Sequence, residues 1–137
     1  MSVEENKSIV RRWFAEAVGG NEGLVNELIH AAYKHYVFGQ HIPQLDGPQG
    51  VLAHYRQWWE AFSDMRFDIK DLIGEGDKVV VRALWSGTHK GAFGDYPPTG
   101  KRISAMTVNI YRLADGKIVE EQELWDSQGF FRQIRMD

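Results

Sequence analysis

The chain has 137 residues, 43% of them hydrophobic and 26% charged, which is typical of one globular domain, here residues 1–137. Sixteen basic and nineteen acidic residues give a formal net charge of −3, and their scatter excludes the concentrated basic face of a nucleic-acid-binding protein. There is no cysteine, no apolar run of about 20 residues to cross a membrane and no secretion signal, so we expect a cytoplasmic protein that binds no membrane.

The first half of the chain carries the pattern of three helices. Residues 2–5 form a capping box, and apolar residues then recur at helical spacing over residues 9–17. Asn21 is suited to cap a second helix that ends near residue 29. Pro48 marks the first turn of a third helix. The segment 33–43 is aromatic and irregular, and we expect a short strand or a turn there.

From residue 65 the hydrophobic period changes from 3.6 to 2, which indicates strands. Four such runs cover residues 65–70, 78–89, 103–113 and 117–126. The last two are joined by a tight hairpin turn at Asp115-Gly116, and residues 129–134 predict a helical turn or an extended tail. Together these elements predict an α+β domain, cone-shaped and barrel-like, with three N-terminal helices on a strongly curved antiparallel sheet. Gly87 and Gly91 would ease the bend.

Five motifs occur in chain order. They are Arg-Arg-Trp-Phe at 11–14, Gly-Thr-His-Lys-Gly-Ala-Phe at 87–93, Pro-Pro-Thr-Gly-Lys at 97–101, Asp-Gly-Lys-Ile-Val-Glu-Glu at 115–121 and Trp-Asp-Ser-Gln-Gly at 125–129. This series resembles the SnoaL-like polyketide cyclase family, within the nuclear-transport-factor-two-like superfamily. The resemblance covers nearly the whole chain and implies a cone-shaped α+β domain with a central ligand cavity. The superfamily contains both enzymes and binding modules, so a fold match alone does not fix a reaction.

The chain departs from the family pattern at positions of the cavity wall. Gly39 stands where the family often has a histidine, and Gln122 replaces a common tryptophan. Phe130 and Phe131 replace the usual pair of leucines. We therefore expect a small apolar or aromatic ligand that differs from the polycyclic substrates of the better-known family members.

Asp126 is the main candidate for catalysis. In the cyclases that the chain resembles, the strand-end aspartate acts as general acid and base in an intramolecular aldol ring closure. One carboxyl group can do both in turn if its pKa is raised toward neutrality, which burial against Trp125 or Trp58 would achieve. In the alternative interpretation, Asp126 caps the turn that follows it by accepting backbone hydrogen bonds.

His89, at the end of its strand, is the second catalytic candidate, because an imidazole could orient a carbonyl or share a proton. It could equally bond to the loop backbone. Alternation along the last strand places Gln122 on the face of Asp126, with Glu121 and Glu123 facing away. The predicted substrate-binding residues are His41, Trp58, Trp85, Asn109, Tyr111 and Gln122.

Two classes of function fit these residues. The first is an enzyme that performs acid–base chemistry, aldol cyclisation or isomerisation, on an apolar carbonyl compound without a cofactor. Epoxide hydrolysis also occurs in the superfamily, but it requires a second acid that the face of Asp126 does not offer. The second class is a ligand-binding domain without catalysis.

No metal and no partner other than a second copy are expected. His35 and His41 lack a suitably spaced carboxylate, so the pattern predicts no metal site. The resemblance implies a homodimer that pairs through the outer face of the sheet.

Overall fold

The computed structural model describes residues 2–135, and this part of the chain contains four α-helices. They are α1 (Val3–Arg12), α2 (Glu22–Leu28), α3 (Gly47–Ala61) and α4 (Ser127–Arg135). A π-helical turn (Trp13–Ala17) extends α1, and a 3₁₀ turn (Pro43–Leu45) precedes α3. The predicted caps are confirmed: the Ser2 hydroxyl accepts the Glu5 N–H at 3.1 Å, and the Asn21 side chain accepts the Leu24 N–H. None of these helices is long and apolar enough to span a membrane.

Six strands form one curved, open sheet. They are β1 (Ile29–Val37), β2 (Gln40–His41), β3 (Arg66–Glu75), β4 (Lys78–Thr88), β5 (Arg102–Ala114) and β6 (Lys117–Trp125). Their spatial order is β2-β1-β6-β5-β4-β3. The predicted α+β fold class is confirmed, with one correction: β1 lies parallel to β6, so the sheet is not purely antiparallel.

The long strand β1 is the element that the sequence did not predict. The segment was expected to contain the end of a helix and then a short strand or turn, yet Ile29 already begins a strand of nine residues. Its buried positions are irregularly spaced, and its pairing with β6 shifts between Ile29 and Lys34. A bulged strand does not show the period of two on which recognition depends.

One face of the sheet builds the core, and the helices cover it. Alternate residues of β4 and β5 are buried on this inner face, among them Val79, Val81 and Tyr111. The ring of Phe14 packs edge-to-face on Phe67 and Tyr111, at centroid distances of 4.9 and 5.8 Å. These contacts fix the first helical segment over the sheet.

The last helix covers an edge that β6 leaves unpaired. The Gln133 side chain accepts the Ser104 N–H at 3.1 Å and donates to the Ser104 carbonyl at 2.8 Å. Phe130 and Ile134, one helical turn apart, are both buried. The C-terminal segment is therefore a helix and not an extended tail, because it satisfies a strand edge and fills the core at once.

Two glycines hold conformations or contacts that a side chain would prevent. Asp115 and Gly116 both have positive φ, 55° and 73°, so the predicted β5–β6 hairpin turn has the backbone of a type I′ turn. Gly91 donates its N–H to the Ala61 carbonyl at 3.1 Å, and a Cβ there would overlap the Glu60 carbonyl oxygen. The loop after β4 can lie against the end of α3 only because residue 91 has no side chain.

We expect Gly91→Ala to lower the free energy of unfolding by about 1–3 kcal/mol, because the new methyl group forces the loop away from α3. Gly23→Ala is the matched control, since this exposed position of α2 has room for a Cβ, at 3.5 Å from Asn21 Oδ1. It should raise the free energy of unfolding by up to about 1 kcal/mol, because alanine has the higher helix propensity. Urea unfolding measures both, and a Gly91→Ala protein as stable as the wild type would contradict this packing.

Candidate active site

A cavity of about 310 Å³ opens between α3 and the inner face of the sheet. Its wall is mostly apolar, and aromatic rings supply much of it, namely Tyr55, Trp58, Phe67, Trp85 and Trp125. Among the residues that the structure describes, no lysine or arginine lines it. Such a wall favours a flat, uncharged ligand.

Trp58 lies at the centre of the aromatic wall. Its ring meets Trp85 and Trp125 edge-to-face, at centroid distances of 5.4 and 5.9 Å, and it also contacts Phe130 at 5.3 Å. Trp58 and Trp85 therefore lie where the sequence placed them, in the wall of the cavity. Their role in binding substrate stays a prediction.

The polar part of the wall is centred on Glu123. Its side chain is 22% exposed, and its Oε1 lies 2.8 Å from His35 Nε2. Behind His35 lies Glu121, whose side chain is only 3% exposed. Glu121 accepts a hydrogen bond from the Tyr33 hydroxyl at 2.8 Å and another from Asn109 Nδ2 at 2.7 Å. A continuous hydrogen-bonded chain thus runs from the core to the cavity.

The hydrogen bonds of this chain constrain where its protons lie. The Tyr33 hydroxyl has a single proton, which it donates to Glu121, so its oxygen must accept from His35 Nδ1, 2.7 Å away. With Nδ1 protonated, the contact between His35 Nε2 and Glu123 must hold one further proton. That proton belongs either to the imidazole or to the carboxyl group, so Glu123 can act as a base in one state and as an acid in the other.

Burial and charge act in opposite directions on this chain. Burial lowers the pKa of His35, but the carboxylates of Glu121 and Glu123 outweigh it, so the pKa is raised above the ordinary value. Burial also raises the pKa of Glu121, which the positive charge of His35 and the hydrogen bonds from Tyr33 and Asn109 oppose. The histidine and its two carboxylates therefore stabilise one another in a site that would destabilise each alone.

The same three side chains offer donor atoms within 4.8 Å of one another, which raises the question of a metal. However, Glu121 lies on the Nδ1 side of His35, at 3.7 Å, and Glu123 lies on the Nε2 side, at 2.8 Å. The two nitrogens of one imidazole point away from each other, so a single ion could not bind both sides. The geometry suits a proton-sharing chain better than a shared metal site.

Asp126 lies outside the cavity, and the expectation that it is buried there is wrong. Its side chain is exposed, and its Oδ1 accepts the Gly129 N–H at 2.9 Å. Asp126 therefore has the geometry of the N-terminal cap of α4, which is the alternative interpretation that the sequence offered. The shape of the cavity wall near Phe130 depends on this helix, so the cap acts on the site only through packing.

The two histidines proposed from sequence also lie outside the cavity wall. His89 is fully buried, stacks on Phe62 at 5.2 Å, and its Nδ1 accepts the Thr99 N–H at 3.3 Å. His41 bonds to the Asp46 carboxylate at 2.8 Å. Both have the geometry of loop anchors: His89 secures the loop after β4, and His41 secures the segment before α3.

The remaining predicted binding residues occupy other layers of the structure. Asn109 is buried behind the cavity, where it holds Glu121. Tyr111 is buried in the core against Phe14. Gln122 pairs in register with Ile110 on the outer side of the sheet and does not reach the cavity.

A family model of the SnoaL-like polyketide cyclases matches residues 8–134. The chain belongs to the SnoaL-like polyketide cyclase family. The family predicted from the five motifs is thereby confirmed.

Relatives and a solved structure agree with this assignment. The aklanonic acid methyl ester cyclase of Streptomyces peucetius is 30% identical over 128 residues, which cover 92% of this chain and 88% of that protein. The nogalonic acid methyl ester cyclase of Streptomyces nogalater is 40% identical over 117 residues, covering 84% and 86%. A SnoaL-like polyketide cyclase from Jannaschia sp. CCS1 superposes with a TM-score of 0.87 at 25% identity, covering 98% of this chain and 94% of that one.

Sequence reasoning missed the polar residues of this SnoaL-like cavity. Glu121 and Glu123 were expected to face away, because the alternation along β6 was counted from Asp126, which in fact lies just beyond the strand. Counting from Trp125, a large ring at the end of a predicted strand, would have placed both glutamates on the inner face. The sequence assigned no site role to His35 or His54. The irregular pattern of β1 did not show which way His35 faces, and a position on a helix does not by itself show that His54 lines a cavity.

We expect Asp126→Ala to lower the free energy of unfolding by about 1 kcal/mol through loss of the α4 cap, and Asp126→Asn to lower it less. Thermal or urea unfolding measures this difference. Turnover per folded molecule should be kept in both variants. Loss of turnover in a fully folded Asp126→Asn protein would instead favour the acid–base role predicted from sequence.

Proposed function

We propose that this SnoaL-like protein is a polyketide ester cyclase that closes a ring by an intramolecular aldol reaction, with Glu123 as the acid–base group. The observation that carries the proposal is one carboxylate in the wall of an aromatic cavity, hydrogen-bonded on its far side to a buried histidine. An aldol reaction needs one group that takes a proton and later returns it. Glu123 and His35 supply that group without a cofactor.

The reaction balances with a single proton. The Glu123 carboxylate takes a proton from a carbon next to a carbonyl group, and the C–H electron pair forms an enolate. The enolate carbon attacks a second carbonyl carbon of the same molecule, so a C–C bond forms and the second oxygen becomes an alkoxide. The alkoxide then takes the proton back from Glu123, which returns to its carboxylate form.

His35 supports both states of Glu123. While Glu123 is a carboxylate, the imidazolium form of His35 donates to it. After Glu123 takes the substrate proton on its other oxygen, His35 keeps its own proton and still donates to Oε1, which is now the carbonyl oxygen of the acid. Glu121, fixed by Tyr33 and Asn109, keeps the ring of His35 in the orientation that both states require.

The wall of the cavity favours a neutral aromatic ester as substrate. Both relatives described above are named as cyclases of methyl esters, one of aklanonic acid and one of nogalonic acid. A free carboxylate would meet Glu123 and no lysine or arginine among the described lining residues, whereas a methyl ester avoids this repulsion. Epoxide hydrolysis has less support, because it calls for a second acid and an arginine beside the first.

We expect Glu123→Gln to lower kcat on aklanonic or nogalonic acid methyl ester by about 100- to 10,000-fold, because glutamine can neither take nor return the proton. Glu120→Gln is the matched control. Glu120 is the same residue type on the same strand, but it faces Arg112 on the outer side, 3.8 Å away. Its turnover should stay within about twofold of the wild type.

Product formation, followed by chromatography, checks this result. Binding of the ester, followed by quenching of tryptophan fluorescence, should survive in Glu123→Gln. If the wild type binds these esters but does not convert them, a binding module of the same fold is the better description.

We further propose that the protein forms a homodimer through the outer face of its sheet. An outer patch of apolar side chains supports this proposal: Val80, Leu84, Met106, Val108, Ile110 and Leu124. Leu124 is 46% exposed and Ile110 is 37% exposed in the single chain. A patch of this kind is better covered than left in water.

We expect Leu124→Lys to convert the dimer to a monomer, because it places a charge within the apolar outer patch. The substitution leaves the inner face untouched, so the folded monomer should keep its secondary structure. Analytical ultracentrifugation distinguishes the two states. A wild-type protein that sediments as a monomer at 100 μM would refute the proposal.

A further inference from the structure

His54, on α3, is a polar group of the cavity wall that the aldol steps above do not use. Its ring lies 6.2 Å from that of His35 and 5.4 Å from that of Tyr55. Among residues 2–135, no hydrogen bond reaches either ring nitrogen of His54. Buried polar groups normally have a hydrogen-bond partner. Since His54 has none within the described residues, its ring nitrogens are available to a ligand in the cavity.

The surroundings of His54 keep its ring uncharged at neutral pH. Its pKa is lowered to about 4, chiefly by burial and also by the neighbouring charge on His35, against the opposing attraction of Glu123. The groups that face it are Glu123 on β6, His35 on β1 and Tyr55 on its own helix. A neutral imidazole offers one N–H donor and one lone pair.

We propose that His54 donates its N–H to the carbonyl oxygen of the substrate, beside the carbon that Glu123 deprotonates. This inference rests on the proposed function. When the C–H bond breaks, negative charge moves onto that oxygen, and a hydrogen bond to an oxyanion is stronger than one to a carbonyl. His54 thus stabilises the enolate more than the substrate, which accelerates the step.

The neutral state of His54 suits this task better than a charged one. A second imidazolium beside Glu123, added to that of His35, would lower the basicity of the glutamate further. It would also tend to pair with Glu123, which would draw one N–H away from the substrate. A neutral donor stabilises the enolate without lowering the basicity of Glu123. The proton taken from the substrate therefore stays on Glu123, and His54 keeps its own N–H proton.

The inference also describes the substrate. Its reactive carbonyl must reach His54 and Glu123 on the polar side of the wall, while its rings lie against Trp58, Trp85 and Trp125. A compound with the carbonyl at the end of a flat aromatic system meets both requirements. An enol or phenol oxygen in the same place is a mimic of the charged intermediate.

Two variants of His54 test the kinetic part. His54→Phe fills the space without a donor and should lower kcat on the methyl ester by about 100-fold. His54→Gln keeps an N–H and should lose no more than about tenfold. His30→Gln, a surface histidine paired with Asp115, is the control and should match the wild type. If His54→Phe retains a kcat within threefold of the wild type, or if both His54 variants lose the same amount while folded, the proposal is overturned.

A binding measurement tests the inference without turnover. In protein labelled with ¹⁵N at histidine, 2-naphthol, a phenol that mimics the enol, should move the protonated ring nitrogen of His54 and leave that of His30 unchanged. The same shift should occur in Glu123→Gln. No shift at saturating 2-naphthol overturns the role of His54. If the wild type shows the shift but converts neither ester, the proposed cyclase function fails, whereas His54 as the donor to a ligand oxygen is supported.

Discussion

The site depends on one buried arrangement, in which His35 lies between the carboxylates of Glu121 and Glu123. Removing a carboxylate from water costs several kcal/mol, and only a close opposite charge with further hydrogen bonds offsets that cost. Tyr33 and Asn109 supply those hydrogen bonds to Glu121. If any member were removed, its neighbour would be left charged or unpaired in the core. The arrangement is therefore a constraint on the fold as well as a device for chemistry.

The position of the polar group in the cavity wall is set by where this hydrogen-bonded chain ends. Glu123 is the point at which a hydrogen-bonded network meets an apolar, aromatic surface. Water competes poorly with a ligand on such a surface, so an interaction with the carboxylate is stronger there than at the protein exterior. The aromatic wall contributes surface and shape, and the few polar groups contribute orientation. Such a division suits the binding of a flat molecule in one orientation.

The parts of the fold that could be predicted from sequence are those fixed by neighbouring residues. The capping box at residues 2–5 and the Asp115-Gly116 turn depend on two to four adjacent positions, and both have the expected geometry. The assignment of inward-facing residues on β6 depends on which residue ends the strand, and the local sequence does not determine that residue. Counting from Asp126 reversed that face, and with it the identity of the carboxylate in the cavity.

Long-range contacts account for the remaining misses. The pairing of β1 with β6 joins residues far apart in the chain, and β1 has no regular hydrophobic period from which this pairing could be predicted. His35 becomes a polar partner only through that pairing. His54 is similar: its place on α3 was predictable, but whether its ring has partners depends on strands that follow it. The family resemblance was sufficient to predict the fold, whereas the residues that line the site depend on how this particular chain packs.

The central position of β6 has a consequence for synthesis. β6 is the final strand in residues 2–135, yet it inserts between β1 and β5. His35 and Glu123 are 88 residues apart, so closing the contact between them is slow relative to local folding. A nascent chain that has emerged only through β5 has two open strand edges and lacks the glutamate of its cavity. Such an intermediate is prone to pair with other chains, and the contact between His35 and Glu123 can form only after the ribosome has released β6.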